Sequence, residues 1–150
     1  MENQSAFESF EMHLTNEAQG FLRETAKWAT FLSILGFILI GIFALVGLGS
    51  LASGASVSRS VMPIPASLIG IIYILSALLY FFPVLYLYKF ASAAKDAIAS
   101  QNTQTLTRCF ENLKSHYKFV GILTIIMIIL WIVGAIVMAT FLASAMGGRM

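Results

Sequence analysis

Residues 89–118 read KFASAAKDAIASQNTQTLTRCFENLKSHYK, a polar stretch that separates two long apolar runs. The run before it covers residues 66–88, and the run after it covers residues 119–143. Each run is long enough to cross a hydrocarbon core of roughly 30 Å as an α-helix. The polar stretch keeps helical spacing except at SQNT, residues 100–103. It therefore predicts a helical hairpin, called the polar hairpin below, whose two arms continue into the membrane.

A third apolar run, residues 28–51, lies nearer the start of the chain. An amphipathic segment leads into it from about Asn16 without a breaker between them, which predicts one continuous helix from about Asn16 to about Leu51. Residues 1–14 show no clear period and are expected to be flexible. Pro65 suits the first turn of the second helix.

The composition places most of the chain in lipid. It is 59% hydrophobic and 11% charged, with a mean hydropathy of +0.86, whereas soluble domains carry about 25% charged residues. The 150 residues suffice for one domain. We therefore expect a single integral membrane domain: an all-α membrane protein with three transmembrane helices (about 28–51, 66–88 and 119–143). All three helices are expected to extend into the cytoplasm as a small antiparallel bundle.

Apolar side chains at helical spacing predict the core of that bundle. The predicted core residues are Phe21, Leu22, Phe90, Ile98, Leu106, Phe110, Leu113 and Tyr117. Cys109 shares the apolar stripe of the third helix and is expected to be a small buried hydrophobe. As the single cysteine, it excludes an intramolecular disulfide.

Basic residues are distributed unequally between the two sides of the predicted membrane. Three spans put the N-terminus and the polar hairpin on the same side of the membrane. That side has seven Lys and Arg residues: Arg23, Lys27, Lys89, Lys95, Arg108, Lys114 and Lys118. The other side has two, Arg59 and Arg149. An excess of Lys and Arg marks the cytoplasmic face. We therefore expect a multi-pass protein of the bacterial inner (plasma) membrane with the N-terminus and hairpin inside and the C-terminus outside.

Aromatic residues near the ends of the apolar runs support the same sidedness, because Trp and Tyr favour the headgroup level. Trp28, Tyr86, Tyr88 and Tyr117 are expected to form a belt at one common depth.

Small residues and a proline interrupt the bulky apolar runs. Small side chains let membrane helices approach closely, which makes five positions candidate helix contacts: Gly36, Gly41, Ala135, Ala139 and Ala143. Pro83 lies inside the second span, where proline removes a backbone hydrogen bond to the carbonyl of Leu79. Both a static kink and a hinge fit this position.

The spans contain no charged residue, whereas ion-coupled transporters and proton relays usually need one. The sequence has no Gly-rich phosphate loop, nucleophile elbow or dinucleotide fingerprint, and no recognised metal-ligand spacing. We therefore predict no catalytic residue, no cofactor and no metal site. The net charge of +2 does not favour nucleic acid as a partner.

These observations favour a non-enzymatic membrane protein, namely a scaffold, accessory subunit or regulator that self-associates or binds a membrane-protein partner. One alternative is a small oligomeric channel or passive transporter lined by Ser33, Ser76 and Thr124 and hinged at Pro83. Another is a lipid-headgroup enzyme that uses Glu111 and His116. Anionic lipid headgroups are expected near the basic residues of the hairpin: Lys89, Lys95, Arg108, Lys114 and Lys118.

Three stretches carry a resemblance to a known family. They are LTNEA through FLRETAKW (residues 14–28), YFFPVLYLYKF (residues 80–90) and FENLKSHYKF (residues 110–119). Here the chain resembles a family of small, uncharacterised bacterial multi-pass inner-membrane proteins that is described as a domain of unknown function. The resemblance implies a multi-pass helical protein and directs attention to the aromatic and basic side, but it implies no catalytic residues.

Overall fold

The computed structural model describes residues 14–52 and 65–147 of the chain. They form three helices: α1 is Asn16–Ala52, α2 is Ala66–Ser100 and α3 is Thr103–Gly147. Each helix contains a segment long and apolar enough to cross a membrane. The predictions of an all-helical protein and of three candidate spans are confirmed. The expected flexible segment lies outside the described residues except for Leu14, and Arg59 lies outside them too.

The first helix begins at Asn16, where the sequence predicts it. The Thr15 hydroxyl oxygen accepts a hydrogen bond from the backbone N–H of Ala18 at 3.2 Å. The Gln19 side chain donates to the carbonyl of Leu14 at 3.1 Å. Thr15 is therefore the N-cap residue, and α1 runs without a break to Ala52, one residue beyond the expected end.

The turn of the polar hairpin consists of Gln101 and Asn102, between the end of α2 and the start of α3. Gln101 adopts the left-handed conformation, with φ 49° and ψ 36°. The Asn102 side-chain oxygen accepts from the backbone N–H groups of Gln104 and Thr105 at 2.8 and 3.3 Å. Asn102 is thus the N-cap residue of α3, because its side chain bonds to backbone N–H groups of the first turn that have no partner within the helix.

The middle helix, α2, packs against both other helices, whereas the described parts of α1 and α3 do not pack on each other. A series of buried and partly buried residues on α1 recurs at alternating steps of four and three residues, the spacing of closely packed helix pairs. They are Leu22, Ala26, Ala29, Ser33, Gly36, Ile40, Phe43 and Gly47. The three helices are therefore arranged with α2 in the middle.

The core lies in the polar hairpin and the adjoining part of α1. Phe90 of α2 is 1% exposed, and Cys109 of α3 is fully buried. Alanines surround them, with Leu22, Leu87 and Leu113 packed on the outside: Ala26, Ala29, Ala91, Ala93 and Ala94. The small alanines allow the helix backbones to approach each other closely. The ring of Phe90 fills the space that remains between the helices.

The expected core residues divide into two groups. Phe90 is buried, and Leu22, Ile98, Leu106 and Leu113 are partly buried. Phe21, Phe110 and Tyr117 are 63%, 51% and 66% exposed, which corrects the expected core at these three positions. Each of the three directly precedes or follows an inward-facing residue (Leu22, Cys109 and His116), and one residue is a rotation of about 100° on a helix. Because alanine-rich contacts are narrow, they enclose one residue per turn and leave the neighbour outside.

Trp28 and Tyr117, two residues of the expected aromatic belt, lie at different heights along the helices. Gly36 of α1 lies against Val84 of α2, and His116 of α3 is hydrogen-bonded to Pro83, which puts Tyr117 near the level of Gly36. Trp28 precedes Gly36 by eight residues, about 12 Å along the helix. The apolar surface therefore extends further toward the hairpin turn on α1 than on α3.

Candidate functional site

The contact between α1 and α2 depends on glycines that allow the two backbones to touch. A Cβ atom on Gly70 would lie 2.8 Å from the carbonyl oxygen of Gly47, and one on Gly47 would lie 3.0 Å from that of Gly70. A Cβ on Gly36 would lie 2.8 Å from a methyl group of Val84, whereas one on Gly41 would meet nothing within 4 Å. Of the two candidate contact glycines on α1, Gly36 thus lies at the helix contact and Gly41 does not.

Gly70 was missed as a partner of this contact, although the sequence contains a signal for it. The steps of four and three that connect Leu22 to Gly36 continue to Gly47 and bypass Gly41. The same steps on α2 relate Ala66, Gly70 and Ala77, all of them buried. Matching the two registers could have paired Gly47 with Gly70.

Within residues 14–52 and 65–147, the second half of α3 is not covered by another helix. Every side chain from residue 124 to residue 140 is exposed, and all of them are uncharged. The candidate contact residues Ala135, Ala139 and Ala143 are among the exposed residues of α3. A Cβ on Gly134 would meet nothing within 4 Å. We call residues 124–140 the free segment of α3.

The free segment begins where the side chains of α2 become large. Along the hairpin, α2 presents Phe90 and small alanines to its neighbours, and Cys109 of α3 is buried there. Closer to the start of α2 the residues are aromatic, and the ring of Phe82 lies 6.1 Å from that of Phe119. Large rings keep the backbones apart, and an apolar cleft of about 420 Å³ opens between the helices. It is lined by Tyr80, Pro83, Val120, Leu123, Thr124, Met127, Ile128 and Trp131.

A hydrogen bond between α2 and α3 marks the point at which the helices separate. The Nδ1 atom of His116 lies 2.7 Å from the carbonyl oxygen of Pro83, which is itself buried. Because a carbonyl can only accept, Nδ1 carries the proton. His116 thus fixes α3 to α2 at the proline that was the candidate hinge. No spacing in the sequence links these two residues, which are 33 positions apart.

We expect His116→Ala to loosen the free segment relative to α2. The variant loses one interhelical hydrogen bond, worth about 0.5–1.5 kcal/mol. Spin labels at Leu75 and Val133, both exposed, should report a broader and longer distance distribution by electron–electron double resonance in a Cys109→Ala background.

His116→Asn and His116→Gln are matched controls for this experiment. The Asn amide can place an N–H group near the position of Nδ1, whereas the longer Gln places its amide nearer the position of Nε2. We therefore expect the Asn variant to keep the original distance distribution better than the Gln variant does. An unchanged distribution in His116→Ala would show that the hydrogen bond does not hold α3 in place.

The residues of the two alternative functions do not come together within the chain. Ser33 is fully buried and donates to the carbonyl of Thr30, whereas Thr124 donates to the carbonyl of Val120 beside the cleft. Ser76, the third expected channel residue, is partly buried on α2. Serine and threonine hydroxyls commonly bond to their own helix in this way.

Glu111 and His116, the pair considered for headgroup chemistry, face different surroundings. Glu111 lines a groove between α2 and α3 together with Lys89, Asp96 and Arg108, while His116 contacts Pro83. Two cations and two anions line this groove, so their formal charges cancel. Within residues 14–52 and 65–147, no three His, Cys, Asp or Glu side chains are grouped so that they could hold a metal ion. Burial raises the pKa of the Cys109 thiol to about 11, so the reactive thiolate forms only at a more alkaline pH than for an exposed cysteine.

Comparison with known proteins adds a family. No curated protein and no solved structure is detectably similar to the chain. A family model described as a family of unknown function (DUF5362) matches residues 65–139, which contain all of α2, the turn and most of α3. The matched region includes two of the three stretches that carry the resemblance and both residues of the His116–Pro83 contact. The chain therefore belongs to the DUF5362 family of unknown function.

Proposed function

We propose that the protein is a non-enzymatic integral membrane protein, a scaffold, accessory subunit or regulator, that binds a partner helix along α3. The observation that carries the proposal is the free segment, in which every side chain from residue 124 to residue 140 is exposed in the part of the chain that the structure describes. The other two candidate spans are packed together through Gly36, Gly47 and Gly70. Among the described residues, one apolar helix is thus held beside a packed pair and exposes its second half.

The pattern of residue sizes on the free segment supports helix binding rather than contact with lipid alone. Ala135 and Ala139, together with Ala143 just beyond the segment, repeat every four residues and lie on one side of the helix, next to Gly134. Membrane helices associate through such small faces because lipid supplies no hydrophobic driving force between them. Large side chains such as Ile136 and Val137 cover the other sides. The small face is the part of the segment on which a second helix can approach most closely.

The proposal includes a location. We place the protein in a bacterial inner membrane with the N-terminus and polar hairpin in the cytoplasm and the C-terminus outside. The excess of Lys and Arg on the hairpin side supports this orientation. The partner is then either a second copy of the chain or another membrane protein of the same bilayer.

We expect cysteines on the small face to form crosslinks in native membranes. In a Cys109→Ala background, Ala135→Cys and Ala139→Cys should each give a crosslinked species with a short bifunctional thiol reagent. A species of twice the chain mass identifies a second copy, and any other mass identifies a different partner. The measurement is the fraction of the chain that shifts on a denaturing gel.

Val137→Cys is the matched control, because two residues along a helix place its side chain about 200° away from the side chain of Ala135. It is exposed to a similar degree and belongs to the same segment. The proposal predicts much weaker crosslinking at position 137 than at 135 or 139. Equal yields at the three positions, or monomer alone at all of them, would contradict a docking role for this face.

A further inference from the structure

A second charged cavity lies between α1 and α2, and its lining differs from that of the groove beside α3. It measures about 260 Å³ and is lined by Arg23, Lys27, Lys95, Ile98 and Ala99. Three of these five residues are cations and none is an acid, whereas the α2–α3 groove balances Lys89 and Arg108 against two carboxylates. This cavity, called the basic cavity below, is therefore a candidate site for an anion.

Lys95 is held in this cavity by a defined contact with α1. Its ammonium group donates to the Thr30 hydroxyl oxygen at 2.8 Å, and that hydroxyl donates to the carbonyl of Ala26 at 2.7 Å. A lysine ammonium has three N–H donors, so this bond leaves others for a ligand. Lys95 thus lies beside α1 and lines the same cavity as Arg23 and Lys27. By sequence position alone it groups with the other basic residues of the hairpin.

The three cations converge without a compensating acid in the cavity lining. Arg23 and Lys27 are one turn apart on α1, and like charges at that spacing weaken a helix. Lys95 adds a third positive charge from the neighbouring helix. Two acidic residues lie next to these cations in the sequence, Glu24 after Arg23 and Asp96 after Lys95. Neither of them lines the cavity. An anion bound here would relieve the mutual repulsion of the three cations.

The position of the cavity along α1, next to the start of the apolar run, indicates which kind of anion it binds. Trp28 directly follows Lys27, is 61% exposed, and stands at the start of the apolar run of α1. Exposed tryptophan at the end of a span favours the headgroup level of a bilayer. Arginine binds phosphate oxygens through paired N–H groups, and lysine adds point charge.

We propose that Arg23, Lys27 and Lys95 form a binding site for the phosphate group of an anionic membrane lipid. The inference rests on the proposed insertion of α1 into a bilayer but not on the docking role of α3. Loss of the α3 crosslinks would leave it unaffected. It replaces the diffuse attraction expected along the hairpin with one site between α1 and α2.

Trp28 provides the readout. In a Trp131→Phe background it is the remaining tryptophan of the chain, and bromine atoms on a bound lipid quench its fluorescence. The protein is placed in nanodiscs of phosphatidylcholine and phosphatidylglycerol at a fixed ratio, with bromine on the acyl chains of either one lipid or the other. We expect stronger quenching by brominated phosphatidylglycerol, which means that the anionic lipid is enriched beside Trp28.

Neutralising the three cations should remove this preference. The variant Arg23→Gln, Lys27→Gln, Lys95→Gln should lose about fivefold in relative affinity per charge and roughly a hundredfold in total. Lys89→Gln, Arg108→Gln, Lys114→Gln removes the same charge elsewhere and should keep the preference. Arg23→Gln alone changes one exposed side chain and should give the fivefold loss without disturbing the fold.

Three results would overturn the proposal. The first is equal quenching by the two brominated lipids in the unaltered protein. The second is an equal loss of preference in the two triple variants, which would indicate a general charge effect. The third is reversal of the quenching by inorganic phosphate at matched ionic strength, which would assign the cavity to a soluble phosphate compound instead of a lipid.

Discussion

Replacing Gly70 by alanine is expected to separate α1 from α2 and to destabilise the protein. The added Cβ would lie 2.8 Å from the carbonyl oxygen of Gly47 and 2.9 Å from the Leu51 side chain. Since a backbone carbonyl cannot rotate away, one helix must shift. Overpacking of this kind costs about 1–3 kcal/mol. Alanine gains about 0.5–1 kcal/mol of helix propensity, which offsets only part of that cost.

The free energy of unfolding can be measured by titrating SDS into mixed micelles and following energy transfer between labels on α1 and α2. Gly41→Ala is the matched control, because it adds the same methyl group to α1 where nothing lies within 4 Å. It should leave the unfolding free energy unchanged or raise it slightly. If Gly70→Ala and Gly41→Ala were equally stable, close backbone contact would not be what joins these helices.

The sequence predicts the helices well because their signals are local. Apolar length, the SQNT turn and the absence of a breaker after Asn16 depend on neighbouring residues only. The end of α1 at Ala52 and the turn at Gln101 and Asn102 agree with these signals to within a residue or two. Composition alone is sufficient to indicate lipid as the surroundings of the spans.

The contacts between helices are harder to predict because they depend on register and rotation. Phe110 and Cys109 are neighbours on an apolar stripe, yet the cysteine is fully buried and the phenylalanine is 51% exposed. A broad stripe does not show which of two adjacent residues faces the partner when alanines make the contact narrow. The pairing of Lys95 with Thr30 is likewise set by how α1 and α2 align, which no short motif encodes.

The largest expected effect concerns the side of the membrane that the polar hairpin occupies, because labelling there is close to all-or-none. Gln104 is exposed in the first turn of α3 and makes a suitable cysteine site. Asn102 is less suitable, since its side chain caps α3. Ser56, in the segment that joins α1 and α2, serves for the opposite side. Cys109 is replaced by alanine so that each variant carries one thiol.

The most direct test of the account is therefore labelling of Gln104→Cys and Ser56→Cys with a membrane-impermeant maleimide, in intact bacterial cells and in inverted membrane vesicles. Three spans with the hairpin in the cytoplasm predict that Ser56→Cys reacts in intact cells and that Gln104→Cys reacts in inverted vesicles alone. Labelling of Gln104→Cys in intact cells, with Ser56→Cys protected there, would contradict the orientation. Reaction of both cysteines from the same side would contradict the three-span arrangement itself.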